Sequence, residues 1–565
     1  MEEGNKVLVI GIDAATWEVL DPWMSDGSLP NLAKLRQTGS WGSLLSTMPP
    51  LSAPAWVSFM TGKNPGKHGV FHFTSQQEEA RSTESDSELV NSRSIKSSTL
   101  WDILGHHDRK VGIVNLPMTY PPRPVNGFMI AGFLTPPGAR VFTYPPSLSD
   151  QLTDYQIDLD RFISRKPFES TANSARAKSA VEPSVGLVQE FYDLMEQRAR
   201  TALSLMASEP WDVFMCVFMG TDRMGHYLWP YHRATDLDGS RESLDLHQAI
   251  HAYYVRLDEF IGQFVKQAGE NTTVVVLSDH GMGAYPSKRV HWNHWLAQQK
   301  LVSAQGHNLI NADSWLTRLG LSRDRVGQFI RGVPILGRSG LVRKMRRTKA
   351  PPVDVEESSA YYRTLYGQVG AIYINLPEGS PEYQALRHRL MERIQEITDP
   401  ETGKPVVQQV RKGEDCFFGP WINHVPAIVT VLHPDYEGTD RLSTYSSPVT
   451  KIRQSINPGD HKMEGILIMA GPSIRPSAEA LFDLSLMDVA PTILYLLDLP
   501  VPSDLDGRVI SEAFVPGLMA ARPVRQGEPL GIWNGPEDHQ YEDGGMSDED
   551  ESRLRERLAA LGYLG

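Results

Sequence analysis

The chain has 565 residues, with 55 Lys+Arg against 68 Asp+Glu and a formal net charge of −13. Hydrophobic residues make up 41% and charged residues 22%, a globular rather than a disordered balance, and the length exceeds one ordinary domain of roughly 100–200 residues. The acidic balance argues against general nucleic-acid binding, and two cysteines, Cys216 and Cys416, cannot build a disulfide framework and fit a reducing compartment.

The N-terminal run KVLVIGI at 6–12 is short, acidic in front and stops at Asp13, so it reads as a strand and not as a signal peptide or membrane span. No later stretch approaches about 18 uninterrupted apolar residues, and the expectation is a soluble, cytoplasmic protein. Similar β-rich runs recur at 110–115, 213–219, 273–278, 369–375, 427–432 and 465–470. Continuous apolar runs suit strands buried on both faces of a parallel sheet. Helical patterns lie between them at 30–37, 97–106, 185–207, 243–268, 382–397 and 486–497. This alternation predicts an α/β fold with helices on both faces of the sheet. Ligands in such folds collect at the carboxyl ends of the strands, and Asp13, Asp222 and Asp279 each lie at or just after the end of such a run.

Three stretches break the alternation: a Ser/Glu-rich loop at 74–96, an irregular insertion at 136–184, and a helical, basic segment at 300–356. The organisation expected is a catalytic core over 1–299, a basic cap over 300–356, a return of the core over 357–515, and a tail over 516–565. The tail is acidic between Glu537 and Glu551. It ends in an amphipathic segment with Leu554, Leu558 and Leu561 on one face, suited to docking on the body or on a second subunit. The basic run 323–349 reads either as a solvated face or as a region attracting a phosphorylated substrate or an anionic surface.

The sharpest local pattern is LSAPAWVSFMTG at 51–62, followed by NPGKHG at 64–69. It predicts a helix with Ser52 near its N-cap, Pro54 in its first turn and Gly62 past its end. Ser52 then sits where backbone N–H groups favour an anion, or serves only as a cap. Asp279 and His280 leave a strand together in SDHGMG at 278–283, either as metal ligands or as parts of a turn. GTDRMGH at 220–226 places Asp222 and His226 four apart, able to face one point from a single helical turn; Gly225 makes an irregular turn equally open. His461 follows Gly459-Asp460 before another strand. Together Asp13, Ser52, Asp222, His226, Asp279, His280 and His461 supply enough carboxylate and imidazole for two adjacent metals, the arrangement that clamps an in-line phosphoryl transfer. His68 and Lys67 read as a structural turn after the helix, and His291, Trp292, His294 and Trp295 as ordinary packing.

In order along the chain, GIDA at 11–14, LSAPAWVSFMTG at 51–62, NPGKHGV at 64–70, GTDRMGH at 220–226, SDHGMG at 278–283, GDH at 459–461, DVAPTILYLLDLP at 488–500 and DGRV at 506–509 resemble the alkaline phosphatase superfamily, in its type I phosphodiesterase/nucleotide pyrophosphatase branch. The resemblance extends to bacterial and archaeal members assigned as phosphohydrolases or phosphomutases. It implies a mixed, mostly parallel β-sheet sandwiched by helices, with inserted cap segments. It implies a two-metal phosphoric ester hydrolase, a phosphodiesterase working through a phosphoserine on Ser52. Asp13, Ser52, Asp279 and His280 match the ligands of one metal, and Asp222, His226 and His461 those of the other. The metals implied are zinc, with manganese or iron as alternatives, and the partner is a phosphate-ester substrate. The branch often carries Asn three residues after the nucleophile; Ala55 stands there, which passes the phosphoryl-oxygen contact to a group such as the Ala53 N–H or Arg223. Trp56 stands where the related sulfatases carry Arg. Other readings are a phosphotransferase or phosphomutase acting on a sugar or lipid headgroup, a sulfatase, and an inactive metal-binding scaffold.

Overall fold

The computed structural model of the chain describes residues 5–75, 88–152, 154–159, 182–304, 352–422, 425–442, 447–452, 457–530 and 548–560. The basic run 323–349 and the acidic residues 537–547 lie outside the described residues. The chain divides into two compact units, one formed by Met1–Ala284, Phe418–Asn423 and Ile456–Gly565, the other by Tyr285–Phe417 and His424–Ser455.

The larger unit is built on one nine-stranded sheet. Its strands are β1 (Lys6–Ile12), β2 (Ser40–Leu45), β3 (Val111–Leu116), β4 (Gly127–Ala131), β5 (Thr143–Tyr144), β6 (Val213–Phe218) and β7 (Thr272–Leu277). Beyond β8 (Gly281–Ala284) and β9 (Gly459–Lys462), which pair with each other outside this sheet, β10 (Glu464–Ala470) and β11 (Leu481–Ser485) complete it. The order is β11-β2-β10-β7-β1-β6-β3-β4-β5. Strands β7, β1, β6, β3 and β4 run parallel, whereas β10 enters antiparallel between β7 and β2. The centre is buried throughout: every residue of β3, β6 and β7 is buried, and only Lys6 of β1 is exposed. That explains their unbroken apolar sequences, because a strand covered on both faces has no polar side.

The helices that position the site are α1 (Ser52–Thr61), α2 (Val185–Ser208), α3 (Gly220–Leu228), α4 (Arg241–Ala268), α5 (Val489–Leu496) and α6 (Asp548–Ala560). Helix α2 starts on a Ser184 hydroxyl accepting from the Leu187 N–H, and α4 on Ser240 accepting from Ser243, the local device that Ser supplies at a helix start. Both present an apolar stripe to the sheet side and to each other, including Phe191, Met195 and Ala202 of α2 and Ile250, Leu257 and Phe264 of α4. Among the described residues no helix is long and apolar enough to cross a membrane.

The strands predicted at 369–375 and 427–432 form, but not in this sheet. Val369–Ile374 and Ile428–Leu432 pair antiparallel with each other and with Ala360–Tyr366 and Val407–Lys412 in the second unit. Their inner face packs with Tyr383, Leu386, Leu390 and Ile394 of helix Pro381–Gln395 and with Trp292, which stacks on Tyr362 at 5.4 Å between ring centroids. A short apolar run records burial, not the direction of its neighbours. The stretch 357–515 expected as one return of the core therefore spans both units.

Candidate active site

Three adjacent parallel strands, β7, β1 and β6, deliver their carboxyl ends to one edge. Asp13 follows β1 directly, Asp279 and His280 follow β7, and α3 after β6 carries Asp222 and His226 one turn apart. The GTDRMGH motif is thus a helix and not an irregular turn. His461 arrives on β9, opposite Met282 of β8. Ser52 is the first residue of α1, and its hydroxyl makes no cap bond; the N-cap residue is Leu51. Ser52 Oγ instead lies 3.2 Å from His280 Nε2. The cap-only reading of Ser52 does not describe this structure.

Close backbone approach is required at two glycines. A Cβ on Gly11 would lie 2.6 Å from the Trp56 ring and 2.9 Å from Val217, so only glycine lets the indole lie over β1. A Cβ on Gly459 would fall 2.1 Å from the Gly225 carbonyl oxygen, so glycine lets β9 reach α3. Ala14 adopts a left-handed backbone (φ 57), uncommon outside glycine, and its N–H points at Asp279 Oδ1 at 3.3 Å.

All seven candidate residues are buried. Asp13 Oδ2 accepts from the Trp56 indole N–H at 2.8 Å. His461 Nδ1 lies 2.8 Å from the Pro50 carbonyl and His280 Nδ1 3.1 Å from that of Gly281. Carbonyls only accept, so both Nδ1 atoms are assigned the proton, and both Nε2 lone pairs face inward. His461 Nε2 is 3.1 Å from Asp222 Oδ1 and 2.9 Å from His226 Nε2. The His280 and His461 rings stack at 3.7 Å.

Burial, followed by the neighbouring Asp279 and Asp222 charges, pushes the Asp13 carboxyl well above its usual range. Burial and then Asp222 do the same to Asp279. Asp222 is desolvated too, but the neighbouring His226 and Arg223 hold it well below the carboxylate range. Desolvation drives His461 down to about 3 and lowers His280, so both imidazoles are neutral at pH 7, the form that ligates metals.

This cluster fits a dication on three counts. Asp13 Oδ1 and Asp279 Oδ2 are buried and accept no hydrogen bond, a costly state for a carboxylate without a counter-charge. Two groups bring one ligand atom from each member within 4.8 Å: Asp13, Asp279 and His280, and Asp222, His280 and His461. Carboxylate with neutral imidazole is a donor set for zinc and similar ions. His280 stands in both groups, between the two sets that the resemblance implies.

Arg223 is almost fully buried; it donates to Asp222 Oδ2 at 2.9 Å, lies over the Phe133 ring at 4.5 Å and pairs with Asp158. Ala53 lies in the first turn of α1, where helix N–H groups have no acceptor within the helix. His68 is structural, as expected: its Nε2 is 2.8 Å from Ser58 Oγ, its Nδ1 accepts from Val70, and burial pushes it to about 3. Lys67 pairs with Asp506. Trp56, the Pro50 carbonyl and Asp158 are site-shaping groups that the motifs do not reveal. Only the glycine at position 11 below an invading aromatic hints at the Trp56 contact.

The family model for type I phosphodiesterase / nucleotide pyrophosphatase matches residues 7–444. The chain belongs to this family. It is a phosphohydrolase of the alkaline phosphatase superfamily, and the matched span holds every candidate residue except His461. Among solved structures, human ectonucleotide pyrophosphatase/phosphodiesterase 5 is similar at 13% identity and a TM-score of 0.44, over 89% of this chain and 97% of that one. An inactive variant of the murine protein, in complex with AMP, is similar at 13% identity and a TM-score of 0.44, over 88% of this chain and 96% of that one. Phosphonoacetate hydrolase from Sinorhizobium meliloti, in complex with phosphonoacetate, is similar at 14% and 0.46, over 87% and 95%. No curated protein matches the chain. The family assignment rests on the family model.

Proposed function

We propose that the chain is a two-metal phosphodiesterase that works through a phosphoserine on Ser52. The carrying observation is the convergence of one serine hydroxyl with two overlapping sets of buried carboxylates and imidazoles, all but His461 of which lie in the family-matched span. Asp13, Asp279 and His280 would hold one divalent ion, and Asp222, His226 and His461, with His280 nearby, the other; zinc suits the donor set. Bound ions supply positive charge that lowers the pKa of the serine hydroxyl and neutralises phosphoryl oxygens.

The chain's own residues do the remaining work. Ser52 Oγ, at the N-terminal turn of α1, attacks the phosphorus of the diester, and one of its two alcohols departs, leaving the phosphoryl group with its second alcohol esterified to Ser52. Water then cleaves the bond between Ser52 Oγ and phosphorus, releasing a phosphate monoester and restoring the hydroxyl. The first-turn N–H groups of α1, Ala53 among them, face the developing negative charge. Trp56 holds Asp13, and Pro50 holds His461, in fixed orientations. Arg223, with both of its guanidinium ends on carboxylates, acts as an orienting cation for Asp222 rather than as a free substrate clamp.

The test is hydrolysis of aryl phosphodiesters, monoesters and sulfates by the metal-loaded chain. Fastest turnover of diesters, abolished in Ser52→Ala, supports the reading. Undiminished hydrolysis by Ser52→Ala overturns it.

A further inference from the structure

The C-terminal helix α6 is joined to the candidate metal site by a line of buried charges. Leu554 and Leu558 are fully buried on one face of α6, and Arg557 lies between them with 2% of its surface exposed. Few arginines are buried to this degree without a carboxylate partner. Arg557 Nη1 is 3.6 Å from Asp158 Oδ2, and its Nη2 reaches the Leu159 carbonyl at 3.5 Å. Asp158 Oδ2 is in turn 3.4 Å from Arg223 Nη2, and Arg223 Nη1 is 2.9 Å from Asp222 Oδ2. Arg198, also buried, adds a third positive charge to the surroundings of Asp158.

We propose that α6 is a strut of the metal site, in which Arg557, acting through Asp158 and Arg223, positions the Asp222 carboxylate. The inference rests on the reading of Asp222 as a metal-holding residue. Arg223 is shared between two carboxylates, and its shorter contact is to Asp222. Arg557 and the Leu159 N–H, the latter at 2.9 Å from Asp158 Oδ1, occupy Asp158 from its other side. Without Arg557, a buried carboxylate draws the Arg223 guanidinium toward itself and away from Asp222 Oδ2. Asp222 then rotates about a less constrained side chain, and its other oxygen, Oδ1, loses its fixed place beside His461 and His226. Arg557 is a positioning residue, acting on Asp222 through Asp158 and Arg223.

The test is cobalt(II) titration of the metal-stripped, full-length chain, with the two equivalents resolved by a competing chromogenic chelator and folding followed by circular dichroism. Arg557→Met and Asp158→Asn each weaken one equivalent by about 10-fold and leave the other nearly unchanged, the size of effect typical of groups that orient a ligand. The double variant is no weaker than the worse single one, because both act through one line of contacts. If Arg557→Met fails to fold, Arg557→Lys, which keeps the charge, shows a smaller loss confined to the same equivalent. A folded Arg557 variant with both equivalents at wild-type affinity, or with both weakened in parallel, overturns the strut and leaves the proposed function standing. Cobalt uptake that is equal in wild type and Asp222→Ala overturns the metal reading itself, and the strut with it.

Discussion

Replacing Trp56 by Phe separates the role of an indole N–H from that of the ring that carries it. The ring is fully buried against Gly11 and lies edge-on to Phe59 at 5.5 Å, so a phenyl group keeps most of the packing. The N–H donates to Asp13 Oδ2 at 2.8 Å, and Asp13 is itself fully buried. A hydrogen bond to a charged group contributes about 1.5–3 kcal/mol, and trimming an indole to a phenyl group in a core adds a cavity cost of about 1 kcal/mol. The metal-free variant is therefore less stable by about 2.5–4 kcal/mol, measured as a shift of the urea midpoint at unchanged m. Because Asp13 also loses its orientation, metal affinity falls by about 10-fold or more, and kcat/KM at limiting metal falls with it. Gly11→Ala, whose Cβ displaces the same ring, moves both quantities in the same direction. A Trp56→Phe chain that loses stability but keeps wild-type metal affinity refutes the idea that Trp56 acts through Asp13.

Ser52→Ala lowers turnover of an aryl phosphodiester by about 10³-fold or more, as removal of a nucleophile does, with metal affinity reduced less; steady-state kinetics and chelator competition check both. Chelation abolishes activity and lowers the thermal midpoint, because Asp13, Asp222 and Asp279 then face one another in a buried space; zinc or manganese restores both. His68→Ala destabilises the chain by about 1–3 kcal/mol, since it leaves the buried Ser58 hydroxyl without its partner, but leaves kcat of the folded protein unchanged. Burial lowers His68 to about 3 and His232 to about 4. The unfolded chain therefore binds more protons below about pH 6.5, so stability is fully present above that pH and declines as pH falls toward these values. Urea midpoints at pH 7 and pH 5 check the slope, which His68→Gln reduces.

Much of the site is readable in the sequence because its carboxylates and imidazoles sit in short motifs, most of them after apolar strands. Asp13 after VLVIGI and Asp279 after VVVLS need only the rule that parallel strands present their carboxyl ends together. The helix carrying Asp222 and His226 is readable only as one of two alternatives, because Gly225 weakens the local preference; in the structure a Cβ there would lie 2.6 Å from Met282, a close approach that sequence patterns do not show. The contacts that orient these side chains are less visible. The Pro50 carbonyl on His461 is a backbone group, for which side-chain patterns carry no signal. Arg557 is hidden for the opposite reason: beside the stripe Leu554, Leu558, Leu561 it reads as the polar side of an amphipathic helix, yet it is almost as buried as Leu554 and Leu558. Val369–Ile374 and Ile428–Leu432 are legible as strands and illegible as members of a separate antiparallel sheet, since burial on both faces produces the same sequence in either setting.

The central claim is that Ser52 carries the phosphoryl group between substrate and water. Acid quenching of the metal-loaded chain within its first turnovers of an aryl phosphodiester, followed by peptide mass spectrometry, tests it directly. The expected adduct is a phosphate ester on Ser52 that still carries the substrate's second alcohol, absent without substrate and absent in Ser52→Ala. Full turnover with Ser52 unmodified at every quench time, and with Ser52→Ala as active as the wild type, contradicts it.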